Sequence, residues 1–289
     1  MSPYTSAESL TELVTIQLDE DRRSAINKSL SEIKEAFKPE PSDWKPGTPA
    51  NDVTLWRYMD FTQLVSILEN EELWFSCLCQ FDDPYEGLLP KGSRNEGRRD
   101  IDIRYYIKEN SGEESVEVDE ELLKTFFSDT SFANCWNIKD IQSVALWEQY
   151  LQSDEGVAIK TNIQNLKNSI DSDEDIIFGE LKYIDFNDPD NSIPSSPHAP
   201  VFHKREFFEH ENEFRGVVID HSAPFNDEIP KSSDGKPKGI PIDIDTDTLI
   251  EDIYVSPTAP SWFSELVEDI VSNYGIDCEP IHSELYDSP

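Results

Sequence analysis

The strongest constraint on this chain is its charge. Over 289 residues, 60 acidic side chains face 24 basic ones, which gives a formal net charge of −36 at pH 7. The carboxylates are spread along the whole chain, so their mutual repulsion opposes any compact fold in dilute buffer. Molar salt shortens the Debye length to about 3 Å and screens this repulsion. The composition therefore predicts a protein of a salty cytoplasm, such as that of a halophilic archaeon.

The chain nevertheless has the apolar content of a globular protein. Hydrophobic residues make up 37% and aromatic residues 11%, which is enough for a sizeable core. No window approaches about 18 uninterrupted apolar residues and no leader pattern precedes the first polar stretch, so we expect no membrane partner and a cytoplasmic location. The charge also argues against non-specific binding to duplex DNA as a function, because such binding needs Lys and Arg on the phosphates.

The four cysteines give no sign of a metal site or a disulfide framework. They include no C-x-x-C pair, so we expect free thiols and predict no metal cofactor. The cysteines are Cys77, Cys79, Cys135 and Cys278.

The sequence divides into an N-terminal appendage and one larger domain. Residues 1–50 are interpreted as a helical extension, with apolar residues at helical spacing over 22–37, followed by a Pro-rich linker. Residues 51–289 mix short strands and helices without strict βαβ alternation. This mixture predicts an α+β fold, with a bent or split mixed sheet and peripheral helices. The predicted strands are 53–58, 73–76, 131–136, 156–161, 176–184, 213–219, 240–244, 249–255 and 278–281. The predicted helices are 61–69, 119–127, 143–151, 163–170, 202–210 and 261–274.

The first candidate site residue is an arginine inside a strand. Arg57 stands between Trp56 and Tyr58, and a buried guanidinium needs an anionic partner. It could bind the phosphate or carboxylate of a ligand. It could equally form a structural ion pair with one of the protein's own carboxylates, those of Asp83, Glu86 and Glu213.

The second candidate is an acidic turn between aromatic residues. Residues 81–87 read FDDPYEG, and the carboxylates of Asp82, Asp83 and Glu86 could bind a cation, hold Arg57 or shape the turn. The spacing is not that of a calcium loop.

Two further motifs place side chains on a common face. Trp147 and Tyr150 are three residues apart on a predicted helix, where they could stack on a ligand ring or pack in the core. Glu211, Glu213 and Arg215 alternate at strand spacing. A glutamate there could orient a ribose hydroxyl or act as a general base, or the segment could be a solvated strand end with a Glu213–Arg215 pair.

An ordered set of blocks resembles a known family. The segment LWRYMDFTQLVSILENEELWFSCLCQFDDPYEG, followed by CWN, ALWEQYLQSDEGVAIKT, LKYIDF, FFEHENEFR, LIEDIYVSP and IHSELY, resembles the family called domain of unknown function 2971 (DUF2971). The resemblance covers about residues 53–286 and brings no established activity. One departure is Asp82, where the family usually has Asn.

A second resemblance concerns layout. The segment LWRYMDFTQLVSILENEELWFS is similar in layout to the start of ADP-ribosyltransferase superfamily enzymes, in which a strand bearing His or Arg leads into a helix and a second strand. It implies that Arg57 holds the pyrophosphate or ribose of NAD and that Tyr58 or Trp147 flanks the nicotinamide. It also implies that Glu213, with Glu211 next in order, stabilises an oxocarbenium-like transition state.

Three hypotheses for function follow. The first is an NAD-consuming transferase acting as a toxin or defence effector, with Arg57 and Glu213 in one cleft. The second is a non-enzymatic module that binds a ligand, such as a nucleotide, or a protein partner, and whose charges form a structural ion-pair network. Its network residues are Arg57, Asp83, Glu86 and Arg215. The third is a metal-dependent nuclease using Asp83, Glu86 and Glu213.

Overall fold

The fold is given by a computed structural model of the chain. The structure describes residues 44–95 and 127–286, except 152, 195, 197, 221, 222, 224, 225, 227 and 234. The predicted helix over 22–37 and nearly all of the one over 119–127 lie outside the described residues.

The described residues contain strands and helices in an order close to the predicted one. The strands are β1 (Thr54–Asp60), β2 (Glu72–Cys77), β3 (Ser131–Ile138), β4 (Gly156–Asn162), β5 (Ile177–Glu180), β6 (Lys182–Ile184), β7 (His203–Arg205), β8 (Glu213–Ile219), β9 (Gly239–Asp243), β10 (Asp252–Val255) and β11 (Ile281–His282). The α-helices are α1 (Phe61–Asn70), α2 (Lys91–Asn95), α3 (Val144–Tyr150), α4 (Ile163–Ser169), α5 (Thr246–Leu249) and α6 (Ser261–Asn273). Short 3₁₀ turns cover Leu78–Gln80, Ala199–Phe202 and Glu206–Glu211.

Nine strands form one mixed sheet that is split at its centre. One edge of β3 pairs along its length with β8, which pairs in turn with β5. The other edge of β3 pairs with β1 at one end, through Leu55 and Trp56, and with β2 at the other end, through Ser76 and Cys77. Beyond β1 lie β4, β10 and β11, whereas β9 lies beyond β2. The predicted α+β fold with a split mixed sheet is confirmed.

The two faces of the sheet are covered differently. The larger core lies on the face that carries Leu55 of β1 and Phe132 of β3, under the apolar faces of α1, α4, α5 and α6. The opposite face has two smaller clusters, one under α3 around Trp147 and one around Val201 and Phe202. The split between β1 and β2 lies next to both small clusters, since Tyr58 belongs to one and Ala133 to the other.

Several local predictions are confirmed and others are wrong. The helix predicted over 61–69 is confirmed as α1, which begins after Asp60 with a reciprocal capping box between Asp60 and Gln63. The helix predicted over 261–274 is confirmed as α6, which has Pro260 as its N-cap. The segment predicted as a helix over 202–210 is strand β7 followed by a 3₁₀ turn, because its charged residues are held by partners distant in sequence. The strand predicted over 249–255 is shorter in the structure. It is β10, which begins at Asp252, after the short helix α5 has ended at Leu249.

Residues 44–50, assigned from sequence to the linker, lie against the sheet. Trp44 packs on His203 with ring centroids 5.8 Å apart. The backbone N–H of Glu180 in β5 donates to the Gly47 carbonyl at 2.8 Å. This stretch is therefore part of the packed domain.

Candidate functional site in the split of the sheet

A cleft of about 500 Å³ opens where β1 and β2 separate along β3. A volume of this order suits a small organic ligand. Its walls are the end of β1, one face of α1, the strand β2 and the middle of β3, with Tyr150 of α3 and Phe81 at the sides. The lining residues are Arg57, Tyr58, Met59, Asp60, Gln63, Ser66, Ile67, Asn70, Glu72, Trp74, Ser76, Phe81, Ala133, Cys135, Asn137 and Tyr150.

Arg57 is the charged group that distinguishes this cleft. It is the first residue of β1 beyond the pairing with β3, which ends at Trp56. Its Nη1 atom is buried without a hydrogen-bond partner, and its side chain forms no ion pair with any residue that the structure describes. The predicted ion pair of Arg57 with Asp83, Glu86 or Glu213 is therefore wrong.

The surroundings of Arg57 do not compensate its charge. Burial lowers the pKa of the guanidinium, and the nearby Cys135 and Tyr150 side chains only partly oppose this. The guanidinium carbon lies 5.8 Å from the centre of the Trp136 ring, a contact that stabilises a cation modestly. Since arginine stays protonated in proteins, the cleft holds a partly desolvated positive charge in a chain of net charge −36.

Tyr58 and Tyr150 line the cleft, whereas Trp147, the other aromatic residue predicted to contact a ligand, does not. The Tyr58 hydroxyl accepts a hydrogen bond from the Ser143 backbone N–H at 3.0 Å, and burial raises its pKa to about 12. Tyr150 is partly exposed, and burial together with Glu211 and Glu213 raises its pKa. Trp147 is 3% exposed and packs edge-on against Tyr58, so core packing is the correct interpretation for Trp147.

The predicted acidic residues form a separate, buried cluster around Arg215. Arg215 is fully buried and binds both oxygens of Glu86, at 2.8 and 3.0 Å. Its Nε donates to Glu213 at 2.9 Å. The predicted Glu213–Arg215 pair is confirmed, but its expected place at a solvated strand end is wrong because both side chains are buried.

Lys204 completes this cluster. Its Nζ lies 2.5 Å from an oxygen of Glu211 and 2.5 Å from one of Glu213. Burial opposes ionisation of Glu213, but Arg215 and Lys204 outweigh it and hold the pKa of that carboxyl below its ordinary value. Burial and the neighbouring Glu213 instead raise the pKa of Glu211.

Asp83 has its own partner at the edge of the cluster. Arg205 donates to both Asp83 oxygens, at 2.7 and 3.2 Å, and its guanidinium carbon lies 4.3 Å from the centre of the Tyr85 ring. The acidic turn thus pairs with arginine side chains of the same chain, Asp83 with Arg205 and Glu86 with Arg215. Sequence reasoning missed Lys204 and Arg205, because it treated their segment as a helix.

The cluster around Arg215 adjoins the cleft. Asn137, which lines the cleft, donates to the Glu211 carbonyl at 2.8 Å, and Gln149, next to Tyr150, donates to the Glu211 carboxylate at 2.7 Å. Neither Glu211 nor Glu213 lines the cleft. Glu213 therefore does not share this cleft with Arg57 in the structure, and the transferase hypothesis stays a prediction.

Metal ligation finds no support in the part of the chain that the structure describes. No group of three or more His, Cys, Asp and Glu side chains there is placed to hold a metal ion. The carboxylates of the nuclease hypothesis, on Asp83, Glu86 and Glu213, are each paired with Lys or Arg.

Comparisons with known proteins give no relative of this chain. No protein-family model matches the chain, and neither curated proteins nor solved structures give a match. Within the described residues, no helix has the length and apolar character needed to span a membrane. The likeness to DUF2971 and to ADP-ribosyltransferases stays a prediction.

Sequence reasoning identified Arg57, Tyr58 and Tyr150 but missed most of the cleft wall. Cys135 and Asn137 alternate along β3, and Trp74 lies on β2. Only the split sheet brings these positions together, so composition and motifs could not reveal them. One available signal was the polar stripe of α1 at helical spacing, formed by Gln63, Ser66 and Asn70.

Proposed function

We propose that this protein binds a small organic anion in the cleft between β1 and β2, with Arg57 as the anchor for the anion. The supporting observation is the buried Nη1 atom of Arg57, which has no hydrogen-bond partner. A buried donor without a partner typically costs about 1–3 kcal/mol, and more on a charged group. A ligand phosphate or carboxylate would accept this hydrogen bond and neutralise the charge.

The distribution of carboxylates supports the same proposal. The cluster around Arg215 uses Lys204 and Arg215 to neutralise buried glutamates, whereas the acidic chain supplies no described partner for Arg57. A structural role for Arg57 would require such a partner. We therefore keep the second hypothesis, a binding module, with one change. Arg57 is not part of the ion-pair network, and we assign it to ligand binding instead.

Isothermal titration calorimetry with pyrophosphate tests this proposal. The titration uses KCl at a concentration where circular dichroism shows the wild type folded. We expect wild-type binding that weakens at least tenfold in Arg57→Gln, while Lys182→Gln, which removes an exposed cation of β6, binds as the wild type does. Equal binding by wild type and Arg57→Gln, or no binding by the folded wild type, would contradict the proposal.

An NAD-consuming transferase is a second candidate, favoured by the position of the cleft. Arg57 lies on the strand that leads into α1 and then β2, and the cleft opens between those strands. Transfer chemistry also needs a carboxylate near the ribose. Because Glu213 is bound by Lys204 and Arg215, this role would require Glu213 to leave its partners.

Nicotinamide release from NAD tests the second candidate. We measure it by chromatography for wild type and Arg57→Gln, with the chain at micromolar concentration and the same KCl. Release that Arg57→Gln abolishes supports a transferase or hydrolase. NAD binding without release limits the function to binding.

A further inference from the structure

The wall of the cleft that α1 forms carries groups suited to more than an anion. Helix α1 presents Gln63, Ser66 and Asn70 to the cleft along about 10 Å of its length. Their described hydrogen bonds leave both donor and acceptor capacity. Gln63 uses its Oε1 to accept from the Asp60 N–H, and Asn70 uses its Nδ2 to donate to Ser66. Such a mixture of neutral donors and acceptors matches hydroxyl groups, which both donate and accept.

Glu72 gives the second observation. It lines the same cleft from the start of β2, and its carboxylate makes no ion pair or hydrogen bond with any residue in the described part of the chain. A carboxylate beside a ligand phosphate would repel it. The same carboxylate is favourable when it accepts hydrogen bonds from ligand hydroxyls, because charge-assisted hydrogen bonds are the stronger ones. Glu72 thus points to a polyhydroxylated part of the ligand.

Trp74 gives the third observation. Its side chain is 40% exposed, which is unusual for tryptophan, and it lines the cleft next to Glu72 on β2. The indole lies against β9 at Gly239, where a Cβ atom would come within 2.6 Å of two ring atoms. A ring fixed in this way offers a surface on which a planar ring can stack.

We infer that the ligand is a phosphorylated nucleoside, with its phosphate on Arg57, its sugar hydroxyls on Glu72 and α1, and its base on Trp74. This inference rests on the proposed function, since it assumes that Arg57 binds the anion. It adds the two other parts of the ligand and assigns residues to each. Glu72 and Trp74 are binding residues that set specificity, and no bond is made or broken.

Calorimetry with four probes tests the inference: inorganic phosphate, ribose 5-phosphate, adenosine 5′-monophosphate and adenosine. We expect affinity to rise from phosphate to ribose 5-phosphate to the monophosphate. Trp74→Ala weakens binding of the monophosphate about 5- to 100-fold and leaves the affinity for ribose 5-phosphate unchanged. Glu72→Gln weakens ribose 5-phosphate but leaves phosphate unchanged or binds it more tightly, because one repelling charge is gone.

Matched controls lie on α6, away from the cleft. Trp262→Ala and Glu268→Gln remove exposed side chains of the same kinds and should leave all affinities unchanged. Equal, Arg57-dependent affinities for phosphate, ribose 5-phosphate and the monophosphate would overturn the nucleoside inference and leave the anion proposal intact. Affinities for ribose 5-phosphate and the monophosphate that are equal and insensitive to Trp74→Ala would also overturn it. No binding of any probe to the folded wild type would overturn both.

Discussion

At the scale of single residues, Arg215 and Arg57 both have buried guanidinium atoms but differ in what surrounds them. Arg215 is surrounded by Glu86, Glu213 and the Val201 carbonyl, so its charge is fully compensated inside the protein. Arg57 has a ring and a thiol nearby and no described carboxylate partner. The first arrangement is that of a structural ion pair, and the second is the arrangement from which we propose binding of an external anion.

Removal of Arg215 should destabilise the fold strongly. Arg215→Met leaves Glu86 and Glu213 buried with only Lys204 to compensate them, and breaking a buried pair in this way costs about 3–5 kcal/mol. Lys160→Met removes a partly exposed cation from Asp252 and should cost about 1 kcal/mol or less. Urea unfolding in molar KCl measures both free energies. A loss of unfolding free energy in Arg215→Met as small as that expected for Lys160→Met would show that the buried cluster contributes little to stability.

Glu213 should make part of the stability depend on pH. Its pKa in the folded protein lies below the ordinary value of 4.5, because Arg215 and Lys204 stabilise the carboxylate. The resulting stabilisation is complete above pH 4.5 and is lost as the pH falls through the lower, folded-state pKa.

The comparison is between wild type and Glu213→Gln in urea unfolding between pH 7 and pH 3, with Glu268→Gln as the control variant. We expect the free-energy difference to shrink as the pH falls below 4.5, whereas Glu211, whose pKa Glu213 raises, changes the difference only above that pH. A difference that does not shrink between pH 4.5 and pH 3 would contradict this assignment.

At the scale of elements, the strand β3 determines the site. Its edge is shared by β1 at one end and β2 at the other, so the middle of β3, around Cys135, has no strand partner on that side. The Asn134 amide bridges part of this gap by donating to the Trp74 carbonyl at 2.9 Å. The cleft follows directly from this topology.

Gly239 should be required for the position of Trp74. An added Cβ would lie 2.6 Å from the Phe75 carbonyl oxygen and equally close to the indole, so β9 or the ring must shift. We expect Gly239→Ala to cost about 1–3 kcal/mol and to weaken adenosine 5′-monophosphate binding as Trp74→Ala does.

Gly47→Ala is the control, because the atoms nearest to its added Cβ belong to the flexible Glu180 side chain. Urea unfolding and calorimetry check both variants. Wild-type stability and affinity in Gly239→Ala would contradict the packing described for the indole.

The elements were predictable from sequence to different degrees. Local signals located α1 and α3, since Asp60 caps the first and the apolar face of the second includes Trp147. The segment around Lys204 was not predictable in the same way, because its conformation follows from ion pairs with Glu86 and Glu213, which are distant or irregularly placed in sequence. Long-range strand pairing also escaped prediction, and the cleft walls depend on it.

At the scale of the whole molecule, the net charge of −36 should make stability depend on salt. Repulsion between carboxylates is screened as ionic strength rises, so the melting temperature should increase from 0.1 to 2 M KCl. A triple variant of exposed α6 residues, Glu265→Gln, Glu268→Gln and Asp269→Asn, should melt higher at low salt and gain less from KCl. Differential scanning calorimetry gives both values. A wild-type melting temperature that is unaffected by KCl would contradict the role assigned to charge repulsion.

The same negative charge opposes the proposed binding of an anion at Arg57 through its long-range field. Only a strong local contact with the guanidinium can hold a phosphate on so acidic a protein. The most direct test is therefore to locate the anion itself. Crystals of wild type and Arg57→Gln, grown with tungstate, allow its position to be read from anomalous scattering. We predict a wild-type peak within hydrogen-bond distance of the Arg57 guanidinium and no such peak in Arg57→Gln. An empty wild-type cleft, or a cleft peak that persists without Arg57, would contradict the account.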